Sequence, residues 1–249
     1  MSYVQVNGDA THLICRMSYN GRRRRLCRIA VLAFFLFMER WMNRSMRDEM
    51  VQFERIYWGK GMNYIAGIDE VGRGCLCGDV VAAAVILPVE IDILGVQDSK
   101  KLSENKRSDL YDRIMEVAIA VGVGRVDAQM IDQINIKQAT RLAMRMAVES
   151  LQVQPNGLLI DAEKIDLALP QEAIIKGDQR SLSIAAASII AKVTRDRLCI
   201  EWDSLYPQYG IAIHKGYGTA MHRAKFDEYG ASPIHRMTFL KKWQKEGDG

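Results

Sequence analysis

At 249 residues with 49% hydrophobic content, the chain can bury a full core, and its length suits one main α/β domain with extra ends. Lys and Arg number 34 against 30 Asp and Glu, a net charge of +4 that permits a nucleic-acid partner without demanding one. The five cysteines form no CxxC pair, which argues against both a disulfide framework and a zinc ribbon and predicts a reducing, cytoplasmic setting.

In chain order, Arg22–Arg25 precede an apolar run, Ile29–Met38, that is half of the about 20 residues a bilayer needs. No small-residue cleavage site follows, so the run predicts neither a membrane span nor a secretory signal. It reads as a short amphipathic or buried helix, or a poorly ordered extension. Met38, Met42, Met46 and Met50 are candidate natural starts downstream of Met1. Residues 1–62 lack a strand pattern and are expected to form an N-terminal extension; the main domain is expected at 63–249.

From Asn63 the pattern is that of an α/β domain. Tyr64–Val71 reads as a strand, followed by a glycine-rich turn and a second apolar strand, Val80–Leu87, stopped by Pro88; the short turn predicts an antiparallel pair. Ser103 can cap a helix with Leu110, Ile114 and Val117 on one face, and Ala118–Val126 reads as a third strand. Ile131–Leu151 reads as one or two helices. Gly157–Asp161 and Glu172–Lys176 are short strands, the first ending in an acid and the second just before Gly177 and Asp178. Ser181–Trp202 is a long helix opened by small residues that allow close packing, Tyr206–Gly218 is loop, and Thr219–Tyr229 is helical again.

Asp69 and Glu70 are adjacent, so they converge on one site only if the strand ends or twists there; taken alone they also read as ordinary acids of a solvated turn. Asp161 and Asp178 change the balance, because carboxylates gathered at one sheet edge repel unless cations lie between them. Four such donors suit Mg²⁺ or Mn²⁺. Two ions about 4 Å apart can activate a water and stabilise a leaving oxygen, which is phosphodiester hydrolysis. Gly72 and Gly74 on either side of Arg73 let backbone amides approach a sugar or phosphate that a Cβ would block, and telling RNA from DNA requires contact with the 2′-hydroxyl. Ser188 and Lys192 share a helix face and suit a phosphate, or else a packing residue beside a solvated lysine. Tyr217, between two glycines, suits stacking on a base or sugar, or packing on the core. His214, His222 and His235 show no zinc spacing and no cysteine partner, and read as surface or structural residues; Cys75 and Cys77 read as small buried residues.

Together these segments resemble the bacterial ribonuclease HII family: Gly67–Gly74 (GIDEVGRG), Asp98–Ser103 (DSKKLS), Lys176–Asp178 (KGD), Ala185–Asp196 (AAASIIAKVTRD) and Lys215–Thr219 (KGYGT), in that order. The resemblance covers about Asn63 to the C-terminal helix and, more loosely, residues 46–61. It implies a ribonuclease H-like α/β fold, a mixed central sheet flanked by helices with a helical C-terminal region. It also implies a metal-dependent endoribonuclease that hydrolyses the RNA strand of RNA–DNA hybrids. Such an enzyme would cut 5′ of single ribonucleotides in duplex DNA and leave 3′-hydroxyl and 5′-phosphate ends. Asp69, Glu70, Asp161 and Asp178 would be the catalytic metal ligands. Gly72, Arg73 and Gly74 would read the 2′-hydroxyl, Tyr217 would stack at the ribo-to-deoxyribo step, and Ser188, Lys192 and Lys100 would hold phosphates. The sibling family, ribonuclease HIII, usually has threonine at the Arg73 position and a folded N-terminal substrate domain.

The chain departs from the family pattern beside the site: prolines are usual at the positions of Cys75 and Asp79, and a small residue such as alanine at Cys77. Loss of two prolines would loosen the turn, and Asp79 would add negative charge near the metals. The expected partners are RNA–DNA hybrids and ribonucleotide-containing duplexes, with no membrane, and the expected state is a monomer. The competing readings are a junction resolvase or integrase core acting on DNA, and a nucleic-acid-binding protein without catalysis. A dinucleotide-binding protein is disfavoured because Gly72–Gly74 lacks a third glycine and leads into a strand.

Overall fold

In the computed structural model, which describes residues 48–89, 91 and 102–241, strand β1 (Ile65–Val71) pairs antiparallel with β2 (Val80–Ile86). Every residue of β2 is buried, which a strand achieves only when both faces of the sheet are covered. The described residues all belong to one unit, Arg47–Gly249. The apolar run 29–38 and residues 98–101, Lys100 included, lie outside them.

Helix α1 (Gln52–Trp58) precedes the sheet, and α2 (Glu104–Val117), after β2, is the helix that Ser103 caps, its side chain accepting from Lys106 N–H. Strand β3 (Ala120–Val126) adds antiparallel to β2, while β4 (Gly157–Asp161) lies parallel to β1 and β5 (Gln171–Ile174) parallel to β4. The order β3-β2-β1-β4-β5 makes a mixed sheet, as expected. Helix α3 (Ala128–Glu149) covers one face and α4 (Leu182–Leu205), with α2, the other. The alternation of β2 sorts its residues accordingly: Ala82, Ala84 and Ile86 join the α3 side, Ala83 and Val85 the α4 side.

Helix α4 packs on β1 without an intervening side chain, because a Cβ at Gly67 would lie 2.1 Å from the Ser183 backbone. Ser181 caps α4 through Ile184 N–H, and Glu54 of α1 accepts from Ser181 Oγ at 2.7 Å and Ser183 N–H at 3.0 Å. Residues 52–58 therefore dock on the main unit, on the N-terminal side of the boundary expected at 62. Helix α3 resolves the choice between one helix and two: it is kinked at Asn135 (φ 67°), whose side chain accepts from Lys137 and Gln138 N–H and starts the helix again. Strand β5 ends two residues earlier than expected, because Lys176 is left-handed (φ 56°) and turns the chain. The expected loop 206–218 contains a 3₁₀ turn, Pro207–Tyr209, and a single helical turn, α5 (Ile211–His214), both too short to show a period. Thr219 caps α6 (Ala220–Tyr229).

Candidate active site

The last β1–β4 pair is Ile68 with Ile160, so Asp69 and Asp161 stand side by side where the two strands part. Glu70 follows, and its N–H donates to Asp69 Oδ1 at 2.7 Å. Asp161 Oδ1 accepts from Gly177 N–H at 2.7 Å, which ties the 3₁₀ turn Gly177–Gln179, and with it Asp178, to the end of β4. Asp69, Glu70 and Asp161 line a cleft of about 430 Å³ together with residues 71–74, Arg107, Ser188, Lys192 and Tyr217. Asp178 is buried at 4% exposure and is not among the residues lining that cleft.

Burial, and then the negative charges of Glu70 and Asp161, push the Asp69 carboxyl well above the usual carboxylate range; hydrogen bonds from Ser188 and Glu70 N–H oppose this only in part. Burial also raises Glu70, opposed first by Arg73, whose Nη1 lies 2.9 Å from Glu70 Oε1. Glu70 Oε2 is buried and accepts no hydrogen bond. A crowded all-oxygen donor set with a bare carboxylate oxygen fits a hard divalent cation such as Mg²⁺ or Mn²⁺.

Two buried arginines that sequence reasoning overlooked build the turn after β1. Arg195 donates to the carbonyls of Asp79 (3.0 Å), Lys215 (2.8 Å) and Cys77 (3.2 Å). Arg236 donates to Gly78 O through both Nε and Nη2, at 2.9 and 2.7 Å, and to Arg73 O at 3.0 Å. Burial lowers the Arg236 pKa to about 10, so it remains charged at neutral pH. Gly72 has φ 90°, and a Cβ there would lie 2.2 Å from Arg195 Nε. A Cβ on Gly74 would meet nothing within 4 Å. Ser188, Lys192, Arg195 and Cys199 recur at helical spacing, a face that marks Arg195 in the sequence; no comparable signal marks Arg236.

Ser188 and Lys192 both face the cleft, and Lys192 Nζ is held by Asp196 at 2.5 Å. Arg107, also missed, approaches the other Asp196 oxygen at 3.9 Å. Tyr217 is 44% exposed on the cleft wall. The loosening expected from the missing prolines is countered by Leu76 N–H donating to Gly216 O and Gly78 N–H to Ile234 O, both at 2.8 Å. The charge expected from Asp79 is met by Arg125 Nε at 2.6 Å. Cys75 and Cys77 are buried, as expected. Of the surface and structural readings of His214, His222 and His235, the structural one holds, because all three are buried; the expected lack of a cysteine partner does not, because Cys77 lies beside His222 and His235, a neighbour that linear spacing conceals.

The family model for ribonuclease HII matches residues 66–242, from β1 through the last described helical turn. The ribonuclease HII of Alkaliphilus metalliredigens is 58% identical over 198 residues, covering 77% of this chain and 97% of that protein. That of Enterococcus faecalis is 59% identical over 191 residues, covering 77% and 75%. Among solved structures, the ribonuclease H2 of Pyrococcus horikoshii OT3 matches at a TM-score of 0.62 and 26% identity, over 73% of this chain and 97% of that one. A family model that matches residues 66–242, with relatives 58% and 59% identical over 77% of the chain, assigns the chain to the ribonuclease HII family, metal-dependent ribonuclease H endonucleases of RNA–DNA hybrids.

Proposed function

We propose that this enzyme hydrolyses the RNA strand of hybrids and also cuts 5′ of single ribonucleotides in duplex DNA, leaving 3′-hydroxyl and 5′-phosphate ends. The observation that carries the reading is the pairing of a crowded carboxylate cluster with an open glycine turn in one cleft. Asp69, Glu70, Asp161 and Asp178 would hold Mg²⁺ or Mn²⁺. When bound, such ions lower the pKa of a water and stabilise the leaving oxygen. Around them, the chain's own groups position the substrate. Glu70 tethers the Arg73 guanidinium, and Arg236 fixes the Arg73 carbonyl, so residues 72–74 present a set backbone to the 2′-hydroxyl. Asp196 orients Lys192 beside Ser188 to take a phosphate, and the Tyr217 ring stacks on the sugar or base at the ribo-to-deoxyribo step. Lys100, outside the described residues, is assigned a further phosphate contact. Among the described residues no helix is long and apolar enough to cross a membrane; we assign the enzyme to the cytoplasm, acting as a monomer.

The test is a labelled duplex carrying one ribonucleotide, beside an all-DNA duplex and an RNA strand paired with DNA, with Mg²⁺ or Mn²⁺. Cutting 5′ of the single ribonucleotide and within the hybrid, absent for Asp69→Asn, is expected. Cutting of all-DNA would instead favour a DNA nuclease on the same fold, and cutting of the hybrid alone would remove the junction roles of Arg73 and Tyr217.

A further inference from the structure

Behind the cleft wall, three side chains from distant segments meet in the interior. Cys77 lies in the turn between β1 and β2, His222 in the first turn of α6, and His235 beyond α6, where it forms an isolated antiparallel bridge with Cys77. Cys77 and His222 are 0% exposed and His235 is 3% exposed. One donor atom of each lies within 4.8 Å of the other two.

The hydrogen bonds around the two imidazoles fix their tautomers. His235 Nδ1 accepts from Ser232 N–H at 3.0 Å, with Ser232 Oγ at 2.7 Å, so its proton sits on Nε2. His222 Nδ1 faces the Tyr217 carbonyl at 3.0 Å and donates to it, which leaves His222 Nε2 as a lone pair, 3.1 Å from His235 Nε2. An imidazole whose outer nitrogen donates to a backbone carbonyl while the inner one points at a second imidazole and a thiol has the form of a metal ligand with its orienting partner. Two nitrogens bound to one tetrahedral ion at about 2.0–2.1 Å lie roughly 3.3 Å apart, close to the present separation.

We propose that Cys77, His222 and His235 form a buried site for Zn²⁺, separate from the carboxylate cleft. A thiol with two imidazoles is a softer donor set than the all-oxygen cleft, so the two sites select different ions. On binding, the Cys77 thiol releases its proton to solvent, and the His235 proton moves from Nε2 to Nδ1; Ser232 Oγ then accepts from Nδ1–H, and the Ser232 N–H, which donates to Nδ1 in the metal-free protein, turns away from the ring, so that both rings stay neutral. Burial pushes the Cys77 thiol up to about 12, and the ion supplies the counter-charge that the thiolate needs. Because the ligands come from three segments around the Tyr217 loop, and His222 holds the Tyr217 carbonyl, the ion would brace that loop against the turn bearing Arg73.

The experiment uses full-length protein carrying Asp69→Asn, to weaken the carboxylate site, made in cells grown with added Co²⁺ or Zn²⁺ so that the site fills as the chain folds. Expected are a near-ultraviolet thiolate-to-cobalt charge-transfer band, which carboxylate ligands cannot produce, and one retained Zn²⁺ per chain after gel filtration. Cys77→Ala loses both. A variant with Cys15, Cys27, Cys75 and Cys199 all changed to alanine leaves Cys77 as the only thiol and keeps both, a readout that does not depend on Cys77→Ala folding. No band in the Asp69→Asn parent, or a band that persists in Cys77→Ala, overturns the proposal.

Discussion

Gly72 and Gly74 flank the same arginine, yet different physics bears on each. Gly72 occupies φ 90° with Arg195 and the Asp79 carbonyl where a Cβ would go, so the fold itself requires glycine there. Gly74 has open space in that direction and faces the cleft, so the protein's own packing does not require it. Gly72→Ala is expected to cost about 1–3 kcal/mol of stability from backbone strain alone. Gly74→Ala is expected to change stability by no more than about 0.5 kcal/mol. It should nevertheless raise KM for a single-ribonucleotide duplex about tenfold, roughly 1.4 kcal/mol of lost contact. Thermal melts and steady-state kinetics of the two variants separate the effects. An unchanged KM for Gly74→Ala would remove the close backbone approach to the sugar.

At the scale of elements, α6 is joined to the segments on either side of it by its one histidine, His222, as well as by ring contacts of Phe226 with His235 and of Tyr229 with Tyr209. His214 accepts from Gly216 N–H at 3.1 Å and stacks on His222 with ring centroids 4.1 Å apart; His222 in turn meets His235. Burial is the main cause that lowers both His222 and His235 to about 4, with the neighbouring imidazoles adding to it. In metal-free protein the folded state therefore binds fewer protons than the unfolded chain between about pH 6.5 and 4. The sign follows: this contribution is whole above pH 6.5 and is lost as pH falls toward 4. Urea unfolding of EDTA-treated protein should show a loss on the order of 3 kcal/mol for each of the two histidines across that window, and His222→Gln should remove about half of the slope. A slope identical in His222→Gln would sink the assignment to this network. The extent of α6 is legible in the sequence because helical periods are local. The same reading leaves the histidines open between surface and structural roles, because their partners are reached only through the folded path of Tyr217, Ser232 and Cys77.

For the molecule as a whole, what is legible in the sequence is what short-range pattern determines. Strands β1, β2 and β4 show as apolar runs, Ser103 as a cap, Ser181 and Thr219 as the first residues of helical runs, and Asp69, Glu70 and Asp161 as acids at the end of apolar runs. Asp178 was legible as a nearby acid, but its place in a 3₁₀ turn depends on the left-handed Lys176. Arg195 is marked only by its place on the helix face of Ser188 and Lys192, and Arg236 by nothing, because the acceptors of both are backbone carbonyls, which every residue carries and no pattern marks. Yet Arg195 and Arg236 join the turn after β1 to α4 and to the C-terminal segment, and Arg236 alone bridges 163 residues to reach Arg73. A lysine at 236 keeps the charge but lacks the planar fork that reaches two carbonyls at once. Arg236→Lys is therefore expected to cost about 3 kcal/mol in urea unfolding. Hydrogen exchange should show faster opening of residues 72–79 and 230–236, while α3, on the opposite face of the sheet, keeps its protection. If stability falls but residues 72–79 exchange as before, Arg236 supports the C-terminal segment alone, and the turn that carries Arg73 is held by Arg195 and the Gly216 carbonyl.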